Sequence, residues 1–214
     1  MKFYRRIITL LLLILAISSS LPAESRISLL QELSFGYSYT SSPLSNEEAL
    51  RIFLPYGNPS GADTNNPENY LLVNSYMVIS YSRNRVIPNW VAWRVTQANL
   101  GSVNREDSFR PDNRLPSSFP KAYPGDYTNT GYDRGHLCPS ADRTSTREAM
   151  ASTFLMTNIA PQTPDLNRGP WESLESYLRS LVRQNYDVYI IAGNYGYKGK
   201  IKRKKLLYQD ISGK

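Results

Sequence analysis

The sequence predicts an α+β fold in which one long helix lies against a mainly antiparallel sheet. Three observations predict it. Ser75 to Tyr81 and Trp90 to Thr96 are short runs rich in Val, Ile, Tyr and Trp, and the segment joining them carries Asn84 and Pro88, so they read as an antiparallel pair. Trp171, Leu174, Leu178, Leu181 and Val182 recur at helical spacing within a stretch from about Leu166 to Gln184. Asp187 to Ala192 is a further strand-like run, stopped by Gly193. At 214 residues, 41% hydrophobic and 20% charged, the chain fits one globular domain with trimmings.

The elements follow in order along the chain. Lys2, Arg5 and Arg6 precede an apolar run from Ile7 to Ile17, broken only by Thr9, and a small-residue stretch ends at Ala23. This three-part pattern predicts a secretory signal peptide over 1–23. The run is shorter than the roughly 20 apolar residues of a spanning helix, so no stable membrane anchor is expected after cleavage. Residues 24–47 are mixed and Ser-rich, and read as an N-terminal arm. Asn46 to Leu54 is compatible with a short helix. Gly57 to Asp63 and Asn65-Asn66-Pro67 are dense turn signals. Residues 99–131 contain Pro111, Pro116, Pro120 and Pro124 and predict a long loop, which in a compact domain usually lines a site. Ser145 to Ser152 reads as a short helix and Thr153 to Thr157 as a short buried strand. Pro170 fits the long helix if it falls in the first turn.

Charge narrows the reading further. The chain carries +7, but three cations lie in the leader and residues 198–214 contribute +6, which leaves the body from 24 to 197 acidic by two. A protein-wide basic surface is excluded. The basic tail over 201–214, with Lys202-Arg203-Lys204-Lys205, suits either phosphate attraction or a solvated charge run. Cys138 is the single cysteine, so no internal disulfide forms, and with one histidine in the chain a zinc site lacks ligands. A partly buried structural thiol is the expectation.

The chemistry-bearing residues cluster around that histidine. Tyr132-Asp133-Arg134-Gly135-His136 sets a carboxylate, a guanidinium, a flexible glycine and an imidazole in five positions. Arginine binds phosphate through forked hydrogen bonds, and histidine accepts a proton near neutral pH. Downstream, Asn167 and Glu175 stand eight residues apart. On a continuous helix that is about 800° of rotation and about 12 Å of rise, so they fall within roughly 80° of one face. An amide oxygen gripping a hard cation, with a carboxylate holding one of its waters, suits Mg²⁺. The same spacing equally fits an Asn near a helix start and an exposed Glu.

Asp133-Arg134-Gly135-His136, followed by Asn167 and Glu175, resembles the DNA/RNA non-specific endonucleases of the ββα-metal class. Further blocks extend the likeness over roughly residues 55–200: Asn89-Trp90-Val91, Arg105-Glu106-Asp107, Phe109-Arg110-Pro111-Asp112, Pro139-Ser140-Ala141-Asp142-Arg143 and Phe154-Leu155-Met156-Thr157-Asn158. Within that family the blocks are most similar to secreted cyanobacterial sugar-non-specific nucleases. The resemblance implies a nuclease domain over 48–200 with a ββα-metal motif. It implies that His136 is a general base, that Asn167 ligates one Mg²⁺ or Mn²⁺, and that Glu175 orients metal-bound water. Arg134 and Arg105 would neutralise the phosphate, and Asp133 would fix the loop and the Arg or His orientation. DNA and RNA would be cut without sequence preference to 5′-phosphate ends, in the periplasm or outside the cell. Any protein inhibitor is unknown from sequence.

One departure stands out. After Lys200 the family pattern calls for a Val-Pro and then a Trp-Lys-rich strand block, where this chain has Ile201 to Tyr208 and stops at Lys214. The sequence therefore resembles a C-terminally incomplete copy. The competing expectation is a truncated, catalytically inactive pseudo-nuclease or a nucleic-acid-binding relic, with unpaired strand edges and exposed apolar surface.

Overall fold

The computed structural model describes residues 43–195. The expected signal peptide over 1–23, most of the arm over 24–47 and the basic tail over 201–214 lie outside the described residues.

The described chain begins with a capped helix, α1 (Asn46–Phe53). The Ser45 hydroxyl accepts from the Glu48 N–H while Glu48 reaches back to the Ser45 N–H, satisfying two orphan donors of the first turn. Four strands then build the main sheet: β1 (Tyr70–Val73), β2 (Val78–Ser82), β3 (Ile87–Val95) and, much later, β6 (Val188–Gly193). They lie in the order β1-β2-β3-β6, and every pairing is antiparallel. The register between β2 and β3 slips by one residue at Ser80/Tyr81, where Pro88 comes opposite Tyr81. Proline has no N–H for the ladder, and the slip absorbs that loss.

The two faces of the sheet are both covered. Alternate residues of β3 divide between them, since side chains along a strand point to opposite faces. Trp90 and Ala92 join Val78, Ala49, Phe53 and Leu54 under α1. Val91, Trp93 and Val95 join the larger core, which includes Leu137, Met156, Ile159 and Val182 from the segments that carry the site. Among the described residues β6 is an edge of the sheet, and Tyr189 and Ile191 are exposed there.

The second unit of structure is the small two-stranded sheet formed by β4 (Asp133–His136) and β5 (Ile159–Gln162). A short helix, α2 (Arg147–Thr153), lies between them, with Thr146 as its cap. Two sequence expectations are corrected here. Thr153 to Thr157 is not a strand: α2 runs to Thr153 and a 3₁₀ turn covers Met156–Asn158, with the strand beginning at Ile159. Nor is the long helix continuous from Leu166. One helical turn, Pro164–Leu166, leads into a widened turn, Asn167–Trp171, where Gly169 leaves helical dihedrals (φ −125°, ψ −108°). The regular helix, α3, is Glu172–Arg183. Pro170 causes the break, because its ring excludes helical geometry at the residue before it. The apolar stripe read from the sequence is only partly internal: Val182 is buried while Leu174 is exposed.

Candidate active site

β4 places its motif by strand alternation and by one close approach. Gly135 lies opposite Ala160 of β5, and a Cβ on it would come within 2.3 Å of the Gln162 side chain. The glycine is required because the Gln162 side chain crosses over that position. Behind the strand, Asn158 acts as a staple. Its Oδ1 accepts from the Cys138 N–H at 2.9 Å, and its Nδ2 donates to the carbonyls of Cys138 and Thr153. The turn after His136 is thereby fixed against the end of α2. Cys138 is fully buried, and burial pushes its thiol up to about 12, which makes it the structural thiol expected.

His136 packs against two phenylalanines that also touch each other, their centroids 4.9 Å apart. Its ring centroid is 5.3 Å from that of Phe109 and 4.8 Å from that of Phe154. The outer faces of these rings carry guanidiniums, with Arg134 4.6 Å from Phe109 and Arg105 5.2 Å from Phe154. Burial, then Arg105 and Arg134, lower the imidazole from 6.5 to about 3, against an opposing pull from Asp107. The ring is therefore neutral at pH 7, whereas sequence alone gave it a near-neutral titration. Nε2 is enclosed without a hydrogen-bond partner among the described residues, and the ring lines the cleft. Trp171 ties this strand to the helix segment by donating from Nε1 to the His136 carbonyl at 3.2 Å.

Asn167 and Glu175 do not share one helix, yet the fold brings both to the same cleft of about 320 Å³ with Arg105, Arg134 and His136. The widened turn aims Asn167, whose Nδ2 donates to Asp133 Oδ2 at 2.9 Å. Its Oδ1 accepts no hydrogen bond among the described residues. Asp133 stands beneath the cleft and also holds Arg168 at 2.8 and 2.9 Å, and these bonds lower its carboxyl. Its partners are thus Asn167 and Arg168 rather than the side chains of Arg134 or His136. Glu175, from the first turn of α3, is pushed up to about 7 by burial, with Asp142 and Glu172 adding to the rise and Arg179, 3.9 Å away, opposing it.

Sequence reasoning missed three contributors. Arg179 lies between Glu175 and the buried Asp142, 3.1 Å from the latter. Asp142 in turn accepts from Trp93 Nε1 at 2.9 Å. Arg168, which grips Asp133, is the third. The four-residue step from Glu175 to Arg179 was a readable signal; the Trp93–Asp142 contact, 49 residues apart, had none.

The donor set fits a hard cation. Among the described residues no three of His, Cys, Asp and Glu converge on one point. The Asn167 amide oxygen and the Glu175 carboxylate are oxygen donors that share a cleft, and few protein ligands with retained water is the arrangement Mg²⁺ prefers. Four arginines and two glutamates line this cleft; Arg105, Arg168 and Arg179 are ion-paired with Asp107, Asp133 and Asp142, and Arg134, without an ion pair among the described residues, is a guanidinium suited to a phosphodiester.

Comparison with known proteins points the same way. The family profile of the DNA/RNA non-specific endonucleases matches residues 58–211. A nuclease of a Nostoc species is 47% identical over 160 residues, covering 74% of this chain and 58% of its own. Human mitochondrial endonuclease G is 34% identical over 140 residues, 64% of this chain and 44% of its own. The chain therefore spans less than two thirds of either relative. Among solved structures, a chain of the EndoG/EndoGI complex, a study of how EndoG is inhibited, superimposes with a TM-score of 0.61 at 27% identity. It covers 71% of this chain and 61% of that one.

Proposed function

The chain belongs to the DNA/RNA non-specific endonuclease family, and we propose that it is a divalent-metal-dependent endonuclease. It hydrolyses phosphodiester bonds of DNA and RNA without sequence preference and leaves 5′-phosphate ends. The observation that carries this reading is the neutral His136 imidazole on the wall of a cleft it shares with four guanidiniums, the Asn167 amide and the Glu175 carboxyl.

Each residue has a task that its surroundings support. A phosphodiester entering the cleft pairs with Arg134 and with Arg105, which lie over aromatic rings at its wall, Arg105 exchanging its ion pair with Asp107 for the phosphate. That pairing removes two of the influences that keep His136 proton-free, so the ring's proton affinity rises when substrate is bound. His136 then takes the proton of the attacking water. Asn167 and Glu175 would hold Mg²⁺ or Mn²⁺, the amide directly and the carboxylate through water. When bound, the ion supplies Lewis-acid stabilisation of charge on the phosphoryl oxygens. Glu175 must lose its proton for this, and a cation beside it favours that loss. The cleft meets the phosphate and its metal rather than base edges, so base sequence goes unread. Residues 1–23 direct export to the periplasm or the medium.

Incubation with supercoiled plasmid tests the reading. Nicking is expected with Mg²⁺ or Mn²⁺, absent in EDTA and absent in His136→Ala. Soluble, folded wild-type protein that leaves the plasmid intact would overturn it and favour an inactive pseudo-nuclease.

A further inference from the structure

A second cleft adjoins the one that holds His136. It measures about 530 Å³ and shares Ala141 and Arg179 with the first, so the two lie side by side at the 3₁₀ turn Ser140–Asp142. Its remaining wall is built from Gln97, Leu100, Thr144 and Arg183, with the Gly101 backbone. We propose that this second cleft is a strand-binding subsite that holds a phosphate of the nucleic acid at a distance from the scissile one, with Arg183 as its principal cation. The proposal rests on the endonuclease reading and extends it to the track of the substrate.

The chemistry of the wall supports a nucleic acid strand. Arg179 is committed to Asp142 and Glu175 and is only slightly exposed, so it partitions the two clefts and is not spare to bind. Arg183, one helical turn further on, is exposed, and its guanidinium has no hydrogen bond or ion pair among the described residues. No acidic side chain lines this cleft. An unpaired guanidinium over a carboxylate-free wall attracts an anion. Thr144 Oγ1 accepts from the Gly101 N–H at 2.8 Å, which orients its own hydroxyl proton for donation. Leu100 and Ala141 give the same wall an apolar part against which a sugar or base can rest. A phosphate contact of this kind carries no base information, in keeping with substrate use that ignores sequence. Arg183 also stands clear of the residues that meet the reacting phosphate, so its loss leaves the chemistry itself intact.

The test uses the full chain in EDTA, where fluorescence anisotropy reads binding of a labelled long oligothymidylate and of a labelled trinucleotide over a salt series. Arg183→Gln is expected to weaken the long strand about fivefold at low salt and to reduce the slope of log affinity against log salt by about 0.7, one phosphate contact on a single strand. The trinucleotide, with only two internucleotide phosphates, is expected to lose less affinity than the long strand. Arg183→Lys retains the slope and controls for loss of the cation at the helix end. Unchanged affinity and slope in Arg183→Gln overturns the subsite, as does an equal loss for the long and short strands. Plasmid cleavage by wild type with a silent Arg183 variant removes the subsite and leaves the endonuclease. An Arg183-dependent slope without plasmid cleavage removes the hydrolase and leaves the subsite.

Discussion

Asp133 and Asn167 meet at 2.9 Å, the amide Nδ2 donating to the carboxylate Oδ2. The contact joins the first residue of β4 to the widened turn before α3, across 34 positions of sequence. It also settles which end of the amide faces the cleft. With the nitrogen tethered below, the oxygen is the atom left to meet a cation. In the proposed metal-bound site Asp133 would be a positioning residue for a ligand.

Replacing it should act on the cation before anything else. Asp133→Ala frees both Asn167 and Arg168, and outer partners of metal ligands cost about 10–100-fold in metal affinity or activity when lost. The expected result is a raised Mn²⁺ concentration for half-maximal nicking, with the rate at saturating metal reduced less. A metal titration of plasmid nicking checks this. Equal half-maximal concentrations in the variant and wild type would remove Asp133 from the role.

Gly135 makes a prediction about packing. Gly135→Ala places a methyl where the Gln162 side chain lies, within 2.3 Å of its Cδ and Oε1, and overpacking of this kind costs about 1–3 kcal/mol. Gln162 Oε1 is buried without a partner, so shortening that side chain sacrifices no bond through it. The double variant Gly135→Ala/Gln162→Ala should therefore recover much of the loss, read as the urea midpoint. A double variant no more stable than Gly135→Ala would mean that the backbone, not Gln162, limits the site.

The Asp142 carboxylate gathers Trp93 Nε1 and Arg179 in the interior. Asp142→Ala leaves a nearly buried guanidinium and a buried indole N–H without their partner, and breaking one side of such a pair costs about 3–5 kcal/mol. Asp142→Asn keeps an oxygen for the indole and should lose less. Denaturant unfolding of the three proteins ranks them. If the asparagine and alanine variants are equally destabilised, the charge at Asp142, and not the hydrogen bond to Trp93, carries the interaction.

What could be read from the sequence follows physical range. β2, β3 and β6 announce themselves through local runs of β-branched and aromatic residues. β5 was hidden by Pro161, which argues against a strand until one sees that β5 pairs with β4 alone in a two-stranded sheet. Pro170 was visible but was read as an N-terminal proline of one helix, whereas the chain uses it to break two segments apart. That break matters, because the helical-face argument for Asn167 and Glu175 fails on it while their shared cleft survives through tertiary packing. The family resemblance supplied the residue types of the site. It could not supply the Phe109–His136–Phe154 cluster, which helps bury the imidazole and arises from three separated segments.

The buried His136 of that cluster and Glu175 together predict an unusual dependence of stability on pH in the metal-free protein. His136 falls from its ordinary 6.5 to about 3 on folding. Between these values the unfolded chain holds a proton that the folded one lacks, so the contribution of His136 is fully present above 6.5 and is lost as pH falls toward 3. Glu175 rises from 4.5 to about 7. The folded chain then holds the extra proton, so its contribution is fully present below 4.5 and is lost as pH rises through 7. Each amounts to about 1.4 kcal/mol per pH unit within its window, with opposite sign. From 4.5 to 6.5 the two cancel, and wild type should show little slope from this pair. His136→Gln should gain stability as pH falls through that range, and Glu175→Gln should lose it. Urea titrations in EDTA read the slopes, and differences against wild type remove the contributions of Asp112, Asp133 and Asp142, which all three proteins share. Three parallel curves would mean that neither group changes its proton affinity on folding, and that the neutral imidazole proposed for the resting site does not owe its state to burial against the two phenylalanines.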